Sequence, residues 1–237
     1  MTYGSDAPPD NSRKNDGEPG EPRILNFPGD RLDPRHTALL IIDMQKDFCV
    51  EGFSAHKAGR DLTMARNVIG RIAHLLEVAR ETKVSVVHIG LLTEPGHRSD
   101  SGPWLAQRRR STFSAADICM RGSSGVEFVD ELRPLDNELV VYKRRYGAFS
   151  GTDLDLLLRS RGIATVVCCG VSTNVCVETT ARAAFEHDYY VVVPSDGCGS
   201  WDRSLHEATL SNINHRFGIT PRIDEIVGQW RNGVASG

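Results

Sequence analysis

No run of apolar residues in the 237-residue chain approaches the roughly 20 needed to cross a bilayer. The charged-then-apolar order of an export signal is missing from the N-terminus as well. A soluble, cytoplasmic protein without a membrane partner is therefore expected. There is no CxxC pair, and the eight histidines form no HxH or HExxH arrangement, which argues against a zinc ribbon or a helix-borne zinc site. Six cysteines (49, 119, 168, 169, 176 and 198), with no export signal, do not read as a disulfide framework. Charge imbalance is also lacking. The formal net charge of −3 is carried entirely by residues 1–30, where six acids face three bases, so the body is neutral. A neutral body has no electrostatic footprint for nucleic acid. The short basic run Arg108-Arg109-Arg110 reads as a solvated loop.

Residues 1–30 hold five of the eleven prolines and no sustained periodicity, and read as a flexible arm before a single domain over 31–237. From Thr37 onward, short β-branched runs alternate with longer amphipathic stretches. The runs span 37–43, 84–90, 138–143, 164–170 and 189–194, with a further short strand near Ile219. Their near-continuous apolar character predicts a parallel sheet buried on both faces. Helices are predicted over 60–82, 123–132, 152–161, 175–187, 203–216 and 222–231, with Thr152 as an N-cap. This alternation predicts a three-layer α/β/α domain, doubly wound around a mainly parallel sheet of about six strands. Cys168 and Cys169, inside an apolar run, read as core residues, and His88 as a satisfied core histidine.

Ligands of open parallel sheets bind at the carboxyl ends of the strands. Asp43 closes the first predicted strand and Lys143 the third, while the fourth runs through Gly170-Val171-Ser172-Thr173-Asn174-Val175-Cys176 into a helix. An acid, an ammonium and a thiol should thus meet on one rim. Each alone has an ordinary structural explanation: a turn acid, a snorkelling lysine, an inert thiol. Together they have the composition of a nucleophilic site. A helix N-terminus and a cation can lower a thiol pKa from ~8.5 to ~3.5–7.5, and Cys176 is placed where it could have both, so a lowered thiol pKa is the expectation.

Three stretches carry a family resemblance: 42–48 (IDMQKDF), 143–149 (KRRYGAF) and 170–180 (GVSTNVCVETT). They resemble the signature segments of the isochorismatase-like cysteine hydrolases, over roughly residues 35–230. Within that family the likeness is greatest to the ureidoacrylate amidohydrolase branch, then to biuret hydrolases and N-carbamoylsarcosine amidohydrolases. The resemblance implies an Asp43–Lys143–Cys176 triad. Cys176 would attack a carbonyl, Asp43 would carry the proton to the departing amine, and Lys143 would hold the thiolate and orient the acid. It also implies a cis peptide at Val171–Ser172, with the backbone N–H groups of Ser172 and Cys176 as the oxyanion site. The implied reaction is hydrolysis of a C–N bond in a small ureido, carbamoyl or amide compound through a thioester. A homo-oligomer, dimer or tetramer, is expected.

On the substrate side, Tyr146 matches the ureidoacrylate branch, where biuret hydrolases carry a lysine. Phe48 reads equally as a pocket aromatic or a core residue. Segment 93–122 is polar and long enough to cover the rim as a lid. Within it, Arg98 or an arginine of 108–110 is a candidate for a substrate carboxylate. Asn174 and Trp201 are weaker candidates. Nicotinamidases of the same superfamily bind a metal near the triad, but Glu51, Glu94 and His97 do not match their ligand spacing, so no metal and no cofactor are expected. Other readings are a maleamate or nicotinamide amidase, an isochorismatase, or a non-catalytic member of the fold.

Overall fold

The computed structural model describes residues 21–109 and 118–235. Six strands, all paired in parallel, form its sheet: β1 (Thr37–Ile42), β2 (Ser85–Leu91), β3 (Leu139–Lys143), β4 (Thr165–Val171), β5 (Tyr190–Val192) and β6 (Cys198–Gly199). Their order is β3-β2-β1-β4-β5, with β6 beside β4. The helices are α1 (Lys46–Cys49), α2 (Ser54–Lys57), α3 (Thr63–Asn67), α4 (Ile69–Glu81), α5 (Gly102–Arg109), α6 (Leu154–Arg159), α7 (Glu178–Glu186), α8 (Arg203–Asn212) and α9 (Ile223–Ala235).

Strand β1 shows why the apolar runs are continuous. Its side chains alternate between two cores, because successive residues of a strand point to opposite faces. Leu39 and Ile41 enter one core with Ile72, Leu75, Leu76 and Ala79 of α4 and Ile226 and Trp230 of α9. Ala38, Leu40 and Ile42 enter the other with Leu154 and Leu158 of α6 and Ala181 and Ala184 of α7. Positions 72, 75, 76 and 79 recur at i, i+3, i+4 and i+7, the spacing of one helix face. Cys168 and Cys169 divide between the two cores in the same way and are fully buried. Burial pushes the Cys168 thiol up to about 12.

Several local expectations need correction. The helix predicted over 60–82 is two, α3 and α4, meeting at Val68, where a β-branched pair precedes Gly70. Segment 123–132 forms two single 3-10 turns, because the Glu127 carbonyl and the Val129 N–H, which a helix would pair internally, bond instead to Lys46 N–H at 2.8 Å and the Met44 carbonyl at 2.9 Å. Ile219 makes only a bridge to Val192, and the two-residue β6 had no signal of its own. At α6 the N-cap position is Asp153, although the Thr152 hydroxyl accepts a bond from Leu154 N–H at 3.3 Å.

Of the segment read as an arm, residues 1–20 lie outside the described residues. Leu25 N–H donates to the Tyr190 hydroxyl at 2.9 Å, and Phe27 packs on the core. Among the described residues, no helix is long and apolar enough to cross a membrane.

His88, fully buried on β2, meets Glu138 through Nε2 at 3.0 Å, while its Nδ1 has no partner. Burial would raise the Glu138 carboxyl, but Arg80, the Leu135 N–H and His88 outweigh it and hold the group at about 2. Burial also lowers His88, against the pull of Glu138. Both groups are depressed in the folded state, so their stabilisation is complete above pH ~6.5 and is lost as pH falls toward 2. Glu138→Gln should cost about 1–3 kcal/mol at pH 7 in urea unfolding, a gap that narrows below pH 4.5. A gap independent of pH would contradict this linkage.

Candidate active site

In this strand order the chain leaves β1 for β2 and β3, then returns to place β4 on the other side of β1. The carboxyl ends of β1 and β4 flank this switch point, where a crevice opens in doubly wound sheets. Asp43 follows β1 directly, in left-handed backbone (φ 53°) and with its N–H on Ile89 O at 2.8 Å. Paired with Ile42, the residue before it, is Gly170 of β4, at φ 117°, where a Cβ would collide with the carbonyl oxygen of Ile42. Only glycine meets both demands. Gly170→Ala should lower the melting temperature by several degrees or more and reduce the folded yield; a melting curve matching wild type would contradict this close packing.

Lys143 ends β3, two strands from β1, a lateral distance of about 10 Å that its long side chain bridges. Its ammonium donates to Asp43 Oδ2 at 2.7 Å and to the Arg145 carbonyl at 3.2 Å. The pair is fully enclosed, with side-chain exposures of 0% and 1%. Asp43 Oδ1 is buried and has no hydrogen-bond donor. The Cys176 thiol interacts with both members of the pair. Acid, ammonium and thiol therefore meet as the strand ends suggested.

The electrostatic expectation for Cys176 does not hold. Burial is the largest influence on the thiol and pushes its pKa up; Asp43 pushes it further, and Lys143 opposes them without prevailing. For Lys143, burial acts to lower the pKa, but Asp43 and Cys176 outweigh it and leave it raised. Reading the sequence accounted for the cation and the helix end but not for the enclosure. Enclosure thus favours the neutral thiol, while Asp43 and Cys176 favour the ammonium form of Lys143. Such a thiol must lose its proton as it attacks, and the open Oδ1 of Asp43 is the acceptor at hand.

Cys176 sits in a π-helical turn, Thr173–Val177, that leads into α7. Such turns recur at functional sites because they displace side chains from the regular helical positions. The turn is anchored to α8 by Thr173 Oγ1 and His206 Nδ1 at 2.9 Å. Just before it, the Val171–Ser172 peptide is cis. Asn174 Oδ1 accepts from the hydroxyls of Ser172 and Ser200, each at 2.7 Å, which orients the amide.

These residues border a cavity of about 310 Å³ that Asp43, Cys176, Ser172, Asn174, Phe48, Tyr146 and Trp201 line. Phe48 is both things it was read as: 6% exposed, in the core, and a wall of the cavity against Trp201. The predicted lid is described over 93–109 and 118–122, while 110–117, including Arg110, lie outside the described residues. Its helix α5 brings Trp104 onto the Tyr146 ring at 4.7 Å and Arg108 into the cavity wall. Arg98 is not in the site; it is exposed and its Nε donates to the Pro95 carbonyl at 3.1 Å. Arg108, read as solvated, is instead buried, because its position on α5 turns it inward against Asp100.

Some supporting residues were missed although they stand in a signature stretch. Gln45 is fully buried, accepting from Leu91 N–H at 2.8 Å and donating to the carbonyls of Leu91 and Val126 at 2.9 and 2.8 Å. Asp47 accepts from Cys119 N–H at 2.6 Å and from the Ser54 hydroxyl at 2.7 Å. Their polarity beside strand β1 was the available signal, since buried polar groups require partners. Arg60, at the cavity wall with its guanidinium over the Trp201 ring at 5.9 Å, gave no such signal. Among the described residues there is no group of three or more His, Cys, Asp or Glu side chains able to hold a metal ion.

A doubly wound sheet with an acid, a lysine and a cysteine at its switch point defines a class of hydrolase fold, and comparison with known proteins identifies it. The Isochorismatase domain matches residues 37–225, and the chain belongs to that family. It is 34% identical over 197 residues, 79% of this chain and 76% of the relative, to a protein of Methylobacterium radiotolerans named ureidoacrylate amidohydrolase RutB. A cysteine hydrolase from Pseudomonas syringae superposes with a TM-score of 0.77 at 26% identity, covering 86% of this chain and 96% of the other. An N-carbamoylsarcosine amidase from Thermoplasma acidophilum does so with a TM-score of 0.63 at 26% identity, covering 79% and 96%. The chain is an enzyme, an amidohydrolase acting on carbon–nitrogen bonds other than peptide bonds.

Proposed function

We propose that this amidohydrolase cleaves a small ureido or carbamoyl compound through a covalent acyl-enzyme on Cys176. The observation that carries the reading is the buried Lys143–Asp43 pair at 2.7 Å with the Cys176 thiol beside it and one oxygen of the acid unpartnered. The thiol proton passes to Asp43 Oδ1 as sulfur bonds to the substrate carbonyl carbon. Negative charge develops on the carbonyl oxygen, and the backbone N–H groups of Ser172 and Cys176 receive it. As the carbon–nitrogen bond breaks, Asp43 returns the proton to nitrogen, and the amine leaves a thioester, or a thiocarbamate from a ureido carbonyl. Water then attacks this carbon and gives a proton to Asp43. The carbon–sulfur bond breaks, and sulfur regains a proton from Asp43. Lys143 keeps its charge throughout and stabilises both the carboxylate and the developing thiolate.

A cavity of about 310 Å³ lies at the small end of ligand sites and suits a substrate of this size. The relative named for ureidoacrylate supports a ureido substrate, and Tyr146 at the cavity wall agrees with that branch. Screening ammonia release from ureidoacrylate, biuret, N-carbamoylsarcosine, maleamate and nicotinamide tests the assignment. Ureidoacrylate is expected to give the highest kcat/KM. Turnover confined to nicotinamide or maleamate would displace the ureido reading.

A further inference from the structure

We infer that Arg108 is the recognition group for a substrate carboxylate, resting on the amidohydrolase reading of the same cavity. Only 6% of the Arg108 side chain is exposed. Its Nη1 donates to Asp100 Oδ1 at 3.0 Å, and Asp100 Oδ2 is in turn held by His97 Nδ1 at 2.8 Å. The guanidinium is thereby fixed at one corner. Its remaining Nε and Nη2 are buried and have no hydrogen-bond partner.

Those two nitrogens form one edge of the planar guanidinium, with parallel N–H bonds spaced to meet the two oxygens of a carboxylate. A buried donor left without a partner costs about as much as a lost hydrogen bond, so two unpartnered donors on a residue that lines the cavity are available to an acceptor bound there. Arg108 shares that wall with Cys176 and Tyr146 and is close enough for its charge to act on the Tyr146 hydroxyl. Position and chemistry agree. The acyl carbon is attacked at Cys176, and a carboxylate elsewhere on the same small molecule engages Arg108. A neutral urea or carboxamide offers a single oxygen to the fork and no charge. Specificity for acids over neutral amides then lies in one residue of α5, whose aromatic neighbour Trp104 seats the helix on Tyr146.

The test separates binding from turnover by using Cys176→Ser protein, in which ligands are not consumed. Calorimetric affinities are measured for 3-ureidoacrylate, N-carbamoylglycine and succinamate, each beside its methyl ester. At least one acid should bind about 10- to 100-fold more tightly than its ester, the range expected for a charged double hydrogen bond. Adding Arg108→Gln should bring that ratio within about threefold by weakening the acid alone. Arg108→Lys, which keeps the charge for Asp100 but loses the planar fork, should fall between and serves if the glutamine variant folds poorly. Acids that bind no better than their esters, or a variant that weakens both alike, would overturn the inference. Turnover by Cys176-intact enzyme distinguishes the two levels. Hydrolysis of neutral amides without acid preference leaves the amidohydrolase reading standing and removes the Arg108 role. Acid binding through Arg108 without hydrolysis does the reverse.

Discussion

Cys176→Ser should lower kcat by about 10⁴-fold or more while leaving the melting temperature within a few degrees of wild type. The two side chains differ by one atom, and Cys176 packs in a turn that Thr173 and His206 hold independently. Loss of the nucleophile therefore has a chemical rather than a structural effect. Cys176→Ala should behave alike, which shows that the serine hydroxyl is no substitute in a site built around sulfur. Iodoacetamide should label Cys176 before the other five cysteines, since it alone borders the cavity. Substantial turnover in either variant, or even labelling of all six, would contradict the assignment.

The second large effect concerns the buried ion pair and has two readouts. Lys143→Met leaves the Asp43 carboxylate enclosed without its partner, and removing one member of such a pair costs about 3–5 kcal/mol. Asp43→Asn combined with Lys143→Met should recover much of that loss, because no uncompensated charge then remains. Catalysis should separate the two residues. Asp43→Asn keeps the shape but removes the proton acceptor, so acylation should fall by about 10²- to 10⁴-fold at every pH. Lys143→Met removes the one influence that lowers the Cys176 pKa. Its alkylation at pH 7–8 should therefore slow and recover as pH rises, by up to tenfold per unit while the thiol remains mostly protonated. A Lys143→Met profile that overlays wild type would leave this lysine a positioning role only.

The strands were legible because β1, β2 and β4 are buried on both faces, which leaves runs that are mostly apolar, with His88 of β2 inside them but no Asp, Glu, Lys or Arg. Site positions followed from topology, since residues at the ends of such runs gather on one rim. The chemical state of the thiol was not legible. A sequence shows that a lysine and a helix end are near, but the enclosure that raises the Cys176 pKa arises only when β1, β3 and β4 bring Asp43, Lys143 and the cysteine turn together. The same holds for the arginines. Arg98 and Arg108 look alike as residues of a polar segment, and only the helical phase of α5 turns one inward while the other stays at the surface. Segment 123–132 failed for a related reason. Its apolar residues Phe128, Val129 and Leu132 are buried as a helix face would be, but backbone bonds from Glu127 and Val129 to Lys46 and Met44 hold it in short turns against the body.

Covalent catalysis at Cys176 is open to direct observation. Enzyme turning over its best substrate is quenched in acid and digested, and the peptide that carries Cys176 is weighed. That peptide should carry the acyl group in wild type and not in Cys176→Ala, with no acyl mass on Cys49, Cys119, Cys168, Cys169 or Cys198. Rapid turnover with no acyl group on Cys176, or undiminished turnover in Cys176→Ala, would contradict the mechanism.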